Sequence, residues 1–250
     1  MNTINRDQLA VYLHDFLRAD GFEDYGPNGL QVEGASEVRR IASGVTASLA
    51  LIEQAIAWQA DVILVHHGWF WRGEDPRVVG QKQKRLRALL AANINLLAYH
   101  LPLDAHPLVG NNAQLAARMG WQTEARFGRQ DLAFVGSGPH STLGDLADAL
   151  ATALGRAPLL VGDPTMPVGR LAWCTGAAQS WIEQAHEVGA NTYISGEISE
   201  PTAHFAREMG IAYLACGHHA TERYGVQALG EHLERSFGID HRFFDIDNPA

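Results

Sequence analysis

Residues 40–67 (RIASGVTASLALIEQAIAWQADVILVHH) align without a gap on residues 170–197 (RLAWCTGAAQSWIEQAHEVGANTYISGE), so the chain carries one strand–helix–strand pattern twice. The copies share Arg40/Arg170, Ala42/Ala172, Ala47/Ala177, Ile52-Glu53-Gln54-Ala55/Ile182-Glu183-Gln184-Ala185 and Ala60/Ala190. A later stretch, 94–104 (INLLAYHLPLD), falls on 211–221 (IAYLACGHHAT) in the same way. A repeat this long points to a duplicated domain rather than a solenoid of short units. The expected fold class is therefore α/β, built as two similar, duplicated α/β domains.

The order of elements agrees. Asn5 is placed to cap a helix running to about Ala19, and alternating strand and helix patterns follow through both halves. Strands are expected at 41–45, 62–65 and 94–99, then at 158–161, 171–175, 192–195 and 211–216. Helices are expected at about 48–58, 80–92, 111–119, 142–154, 179–188, 201–209 and 222–236. Strands alternating with helices argue for largely parallel sheets. The glycine-containing segment 123–139 has weak periodicity and reads as the boundary, giving domains 1–124 and 125–250. A final strand at 241–246 is free to return to either sheet.

Composition narrows the function. With 46% hydrophobic and 19% charged residues, the chain reads as an ordinary soluble protein. No apolar run is long enough for a membrane span. The start, MNTINRDQLAVYLHDF, has acidic residues and no apolar core, so it is not expected to be a signal peptide. Cys174 and Cys216 lie at the ends of expected core strands and read as buried thiols of a cytoplasmic protein. A net charge of −9 argues against a dedicated nucleic-acid surface, because phosphate contacts need clustered cations. Twelve histidines, by contrast, are more than packing requires.

Ligands of α/β sheets bind beyond the carboxyl ends of the strands, and the histidines gather there. His66 and His67 end the run VILVHHG; Asp104 follows the next strand in HLPLD; His218 and Glu222 stand in GHHATE. Adjacent residues of a strand face opposite ways, but a frayed end before Gly68 lets His66 and His67 turn towards different ions. If a helix starts after Gly217, His218 and Glu222 lie one turn apart on one face, roughly 5–6 Å between Cβ atoms. His219 is rotated away from that face. Glu197, which the repeat aligns with His67, and His100 and His106 are candidates for proton transfer or for supporting the ligands.

VHHG, HLPLDAHPLVGNNAQLA and GHHATERYG, with PNGLQVEG and SGEISE, resemble the Nif-three-like family, also called the GTP cyclohydrolase I type 2 homologue family. The chain is most similar to its short bacterial YbgI-type members, from about Asp7 to Pro249. The resemblance implies two α/β domains with a dinuclear divalent-metal site in the cleft between them, and a toroidal homohexamer. It carries the metal ligands onto His66, His67, Asp104, His218 and Glu222.

Two or three imidazoles with two carboxylates suit two divalent ions per chain, Zn, Fe, Mn or Ni, better than Ca or Mg. Glu222 is expected to bridge, with His67 and Asp104 completing one ion and His66 and His218 the other. Two such ions can activate water, so the expected activity is metal-dependent hydrolysis of a small molecule, a nucleotide or related cyclic amide. Arg72, Lys82 and Lys84 form a basic patch that could attract phosphate, or simply a solvated helix face. The aromatics of GWFWRG could stack on a purine or pack in a subunit interface. The competing class is a non-catalytic metal-binding scaffold for storage, delivery or regulation of a partner.

Overall fold

A computed structural model describes residues 2–250. It divides the chain into two compact units, one reaching to Gly110 and taking back Gly225–Asp247, the other comprising Asn111–Tyr224 and Asn248–Ala250. Each is an α/β unit.

The first unit is built on a five-stranded sheet in the order Asp240–Phe243, Arg40–Thr46, Val62–His67, Asn95–Ala98, Gly29–Val32. Only the last of these pairs antiparallel. Side chains alternate between the faces. Ile41, Val62 and Leu64 meet Leu9, Leu13 and Leu17 of the helix Arg6–Leu17 and Leu229 and Leu233 of the helix Arg223–Phe237. Ala42, Ile63 and Val65 meet Leu51, Ile52 and Leu89 from the helices Leu49–Ala57 and Gly80–Ala91. Burial on both faces explains why these strands read as unbroken apolar runs. Asn5 caps its helix by accepting from the backbone N–H groups of Asp7 and Gln8.

The second unit has a six-stranded sheet in the order Gln122–Phe127, Ala133–Ser137, Leu171–Cys174, Thr192–Ser195, Ala212–Ala215, Leu159–Val161. It too is covered on both faces. Leu146, Leu150 and Leu154 pack under Leu171, Trp173 and Leu214, and Ile182, Ala185 and Ala206 under Ala172, Tyr193 and Tyr213.

The duplication extends to the register of pairing. Ile41 opposes Val62 and Val62 opposes Asn95 in the first unit; Leu171 opposes Thr192 and Thr192 opposes Ala212 in the second. These are the same pairs under the sequence alignment. The antiparallel edge also repeats, with Leu30 opposite Leu97 and Leu160 opposite Leu214. A one-residue slip would turn every core side chain to the wrong face, so shared register is a strong mark of common architecture. The other edges differ, carrying the parallel C-terminal strand in one unit and an antiparallel hairpin in the other.

That hairpin covers most of the segment 123–139, to which the sequence reading assigned no strand. Gly136 serves the pairing. A Cβ at Gly136 would collide with the backbone oxygen of Gln122 on the facing strand. A short helix, Leu101–Ala105, was also not expected, being hidden in the proline-containing LPLDA.

His241 on the C-terminal strand lies 2.7 Å, through Nε2, from the buried hydroxyl of Ser43, and a Cβ at Gly230 would strike its ring. Burial lowers its pKa below 6.5, more than Glu234 and Glu231 raise it. The unfolded chain therefore takes up this proton first as pH falls, and the folded state loses stability as pH drops below 6.5. Lowering the pH from about 7 to about 5 should reduce the thermal midpoint more in the unaltered protein than in His241→Asn. An equal loss in both would contradict this assignment.

Candidate metal centre

In the first unit, the parallel strand Val62–His67 ends by delivering two imidazoles. His66 is fully buried, and its Nδ1 donates to the backbone oxygen of Tyr99 at 3.1 Å. That bond puts the proton on Nδ1 and leaves Nε2 as the basic nitrogen, as in most metal-binding histidines. Nε2 lies 3.5 Å from Oδ1 of Asp104, itself buried in the helix Leu101–Ala105. Within this unit Asp104 thus stands beside His66. His67 Nδ1 instead lies 3.2 Å from the hydroxyl of Thr46 on the neighbouring strand.

His100 completes this group. One ring nitrogen from each of His66, His67 and His100 lies within 4.8 Å of the others. His100 Nδ1 donates to Oδ1 of Asp24 at 2.7 Å. The side chain of Asp24 is 3% exposed and also accepts from the backbone N–H of Leu101 and the amide of Asn28. Burial opposes its ionisation, but His100, Asn28 and the Leu101 N–H outweigh burial and hold its pKa down to about 2. Trp71 stands against both His100 and His67, with ring centroids 5.1 and 6.2 Å away.

The second unit supplies an imidazole between two carboxylates. His218 opens the short helix His218–Thr221; its Nδ1 lies 2.7 Å from Glu197 Oε1 and its Nε2 3.1 Å from Glu222 Oε2. That helix ends at Thr221, with Glu222 at its C-cap before the next helix Arg223–Phe237, and the one-turn spacing brings His218 and Glu222 together. Burial alone would lower the pKa of His218, but Glu222 and Glu197 raise it to about 9. The site therefore already holds a positive charge between two acids, the electrostatic demand that a divalent cation would meet. Glu222 is only 2% exposed. Gly176 makes room for it: a Cβ there would overlap Glu222 Oε1, and the residue has φ +71.

The remaining candidates separate. Glu197, the counterpart of His67, is a hydrogen-bond partner of His218 and also accepts from Gln179. His106 accepts through Nδ1 from the backbone N–H groups of Leu108 and Val109, and its ring lies on Phe16, which makes it a loop-capping group. The basic patch is partly neutralised: Lys82 pairs with Glu74 at 3.2 Å, and Arg72 donates to the backbone oxygen of Asp24. Of the GWFWRG aromatics, Trp69 is buried and donates to Ala47 O, while Phe70 is the most exposed.

Sequence reasoning missed Asp24, Asn28 and Thr46. Asp24 and His100 lie 76 residues apart, and no spacing links them. The only hint was an acid placed before the turn-rich YGPNGL, whose Asn28 accepts from the backbone N–H of His100 and whose neighbour Gln31 accepts from that of Trp69.

The donor set, imidazoles with Nδ1 tied back and carboxylates buried beside them, fits a divalent metal in each unit's contribution. Gly176→Ala should disturb Glu222 and strain a left-handed backbone, costing about 1–3 kcal/mol. Reduced metal retention and a lower thermal midpoint are expected; unchanged values for both would contradict the role given to Gly176.

The chain matches the family model described as Duf34/NIF3 (NGG1p interacting factor 3) over residues 4–249. It is 54% identical over 239 residues to a protein from Pseudomonas aeruginosa named GTP cyclohydrolase 1 type 2 homolog, covering 94% of each. It is 52% identical to one of the same name from Allochromatium vinosum, covering 100% of each. Among solved structures, it matches one titled as protein ybgI of unknown function with a TM-score of 0.94 and 45% identity, over 99% of this chain and 100% of that one. A protein from Thermus thermophilus matches with a TM-score of 0.86 and 33% identity, over 99% and 100%. The chain belongs to the Duf34/NIF3 family.

Proposed function

We propose, from membership of the Duf34/NIF3 family and from the donor sets of the two units, that His66, His67, Asp104, His218 and Glu222 together hold two divalent ions per chain. The protein is, on this reading, a metal-dependent hydrolase acting on a nucleotide or a related cyclic amide. The observation that carries it is the pair of buried carboxylates, Asp104 and Glu222, each set against the Nε2 of a histidine. Burying carboxylates is costly unless positive charge compensates them, and divalent ions bound beside both would supply that charge. Zn, Fe, Mn and Ni all accept this mixture of imidazole and carboxylate.

Bound divalent ions supply Lewis acidity and activate water towards an electrophilic carbon or phosphorus. The chain's own residues have separate tasks. Glu197 orients His218 through Nδ1, and Tyr99 O orients His66. Trp71 walls one side of the histidine group and offers an apolar face to a planar base. The relatives' printed name, GTP cyclohydrolase 1 type 2 homolog, is the support for a nucleotide-like substrate. We place the protein in the cytoplasm, consistent with two buried thiols, and as a homohexamer on the family resemblance. No helix among the described residues is long and apolar enough to cross a membrane.

Elemental analysis of protein prepared without chelator should find about two divalent ions per chain. Glu222→Ala should lose most of both, whereas His66→Ala and His67→Ala should each weaken mainly one. Unchanged metal content in Glu222→Ala would sink the assignment. A panel of nucleotides, phosphoesters and cyclic amides with Mn, Fe or Zn restored should give turnover that disappears in Glu222→Ala. No turnover across the panel, with metal passing readily to an acceptor, would favour the storage or delivery scaffold. Light scattering should give six chains' mass by the family resemblance, and a monomer at micromolar concentration would remove that part.

A further inference from the structure

The histidine group of the first unit holds one imidazole, His100, beyond the two that the five-residue ligand set uses. His66, His67 and His100 share a single arrangement: each ring has Nδ1 within hydrogen-bond distance of an oxygen. The partners are Tyr99 O at 3.1 Å, Thr46 Oγ1 at 3.2 Å and Asp24 Oδ1 at 2.7 Å. Metal-binding histidines characteristically give their second N–H to a carbonyl, hydroxyl or carboxylate, which orients the ring and makes the ligating nitrogen more basic. His100 has the strongest such partner of the three, a buried carboxylate. A ring nitrogen from each of the three lies within 4.8 Å of the others. Nitrogens bound tetrahedrally to one ion stand about 3.4 Å apart, so the group has to close by at most about 1.4 Å.

The surroundings of His100 are built to hold it. Its backbone N–H donates to Asn28 Oδ1 at 2.8 Å, and the next N–H, of Leu101, donates to Asp24 Oδ2 at 2.9 Å. Asn28 Nδ2 in turn donates to Asp24 Oδ2. One turn further along the same short helix is Asp104. Asp24 and Asn28 thus fix the ring of His100 and the start of the helix that carries an expected ligand.

We propose that His100 is a metal ligand, a third imidazole of the first unit's site, and that Asp24 is its positioning residue. This rests on the metal-centre reading above and adds a ligand to it. It also gives the PNGLQ turn a task, since Asn28 belongs to the clamp.

Cobalt(II) as the probe tests this on the full chain. Each imidazole bound through Nε2 keeps an exchangeable Nδ1–H, whose proton resonance the paramagnetic ion moves far outside the normal range. His100→Gln should lose one such resonance relative to the unaltered protein and weaken cobalt binding by about tenfold or more. Asp24→Asn should keep the number of resonances, let one exchange faster with water, and weaken binding about tenfold. A role for His100 only in the fold would lower stability without removing a shifted resonance. The same number of shifted resonances and the same affinity in His100→Gln as in the unaltered protein would overturn the proposal. If His100→Gln does not fold, Asp24→Asn decides, and unaltered affinity and exchange in that variant overturn it. His66→Ala separates the two levels: if it loses cobalt while His100→Gln does not, only the added ligand fails. If the unaltered chain takes up no cobalt, both readings fail.

Discussion

Removing carboxylates from water is the constraint on which the candidate site depends. Asp104 and Glu222 are almost wholly buried, and each has an imidazole nitrogen beside it. An imidazole nitrogen can give up a proton and bind a metal beside the carboxylate, which an ammonium or guanidinium cannot do at neutral pH. The rest of the local structure keeps those imidazoles in one orientation. Tyr99 O, Thr46, Asp24 and Glu197 all engage Nδ1, so that Nε2 is the nitrogen presented. Gly176 leaves the space that Glu222 fills.

Duplication supplied the frame on which this was built, and divergence supplied the chemistry. The central three strands and the antiparallel edge keep their register in both units, because any slip would expose the core. At the strand ends, where packing no longer dictates the side chain, the copies have parted. His67 in one copy corresponds to Glu197 in the other; the first lies among histidines, the second supports one. Functional residues at strand ends are free to change in this way, since the sheet below them supplies the stability.

Much of the fold was legible in the sequence because strands buried on both faces leave plain apolar runs, and capped helices leave periodic ones. Asn5 caps as its position suggests. The hairpin at 122–137 was not legible, because Gly136 there permits close strand approach while in sequence it reads as a loop signal. The ligand candidates were legible as motifs, since His66-His67 and His218/Glu222 are close in sequence. The pairing of Asp104 with His66 and the bond from His100 to Asp24 were not, because they depend on how a short helix turns after the strand Asn95–Ala98. Local spacing carries no information about that turn.

X-ray absorption at the edge of whatever metal accompanies the purified protein tests the central claim most directly. The account predicts only nitrogen and oxygen neighbours at about 2.0–2.2 Å, with the multiple scattering of imidazole. It also predicts a metal–metal vector at about 3.5–4 Å. A shell of sulfur at about 2.3 Å, implicating Cys174 or Cys216, or an isolated ion without imidazole neighbours would contradict it.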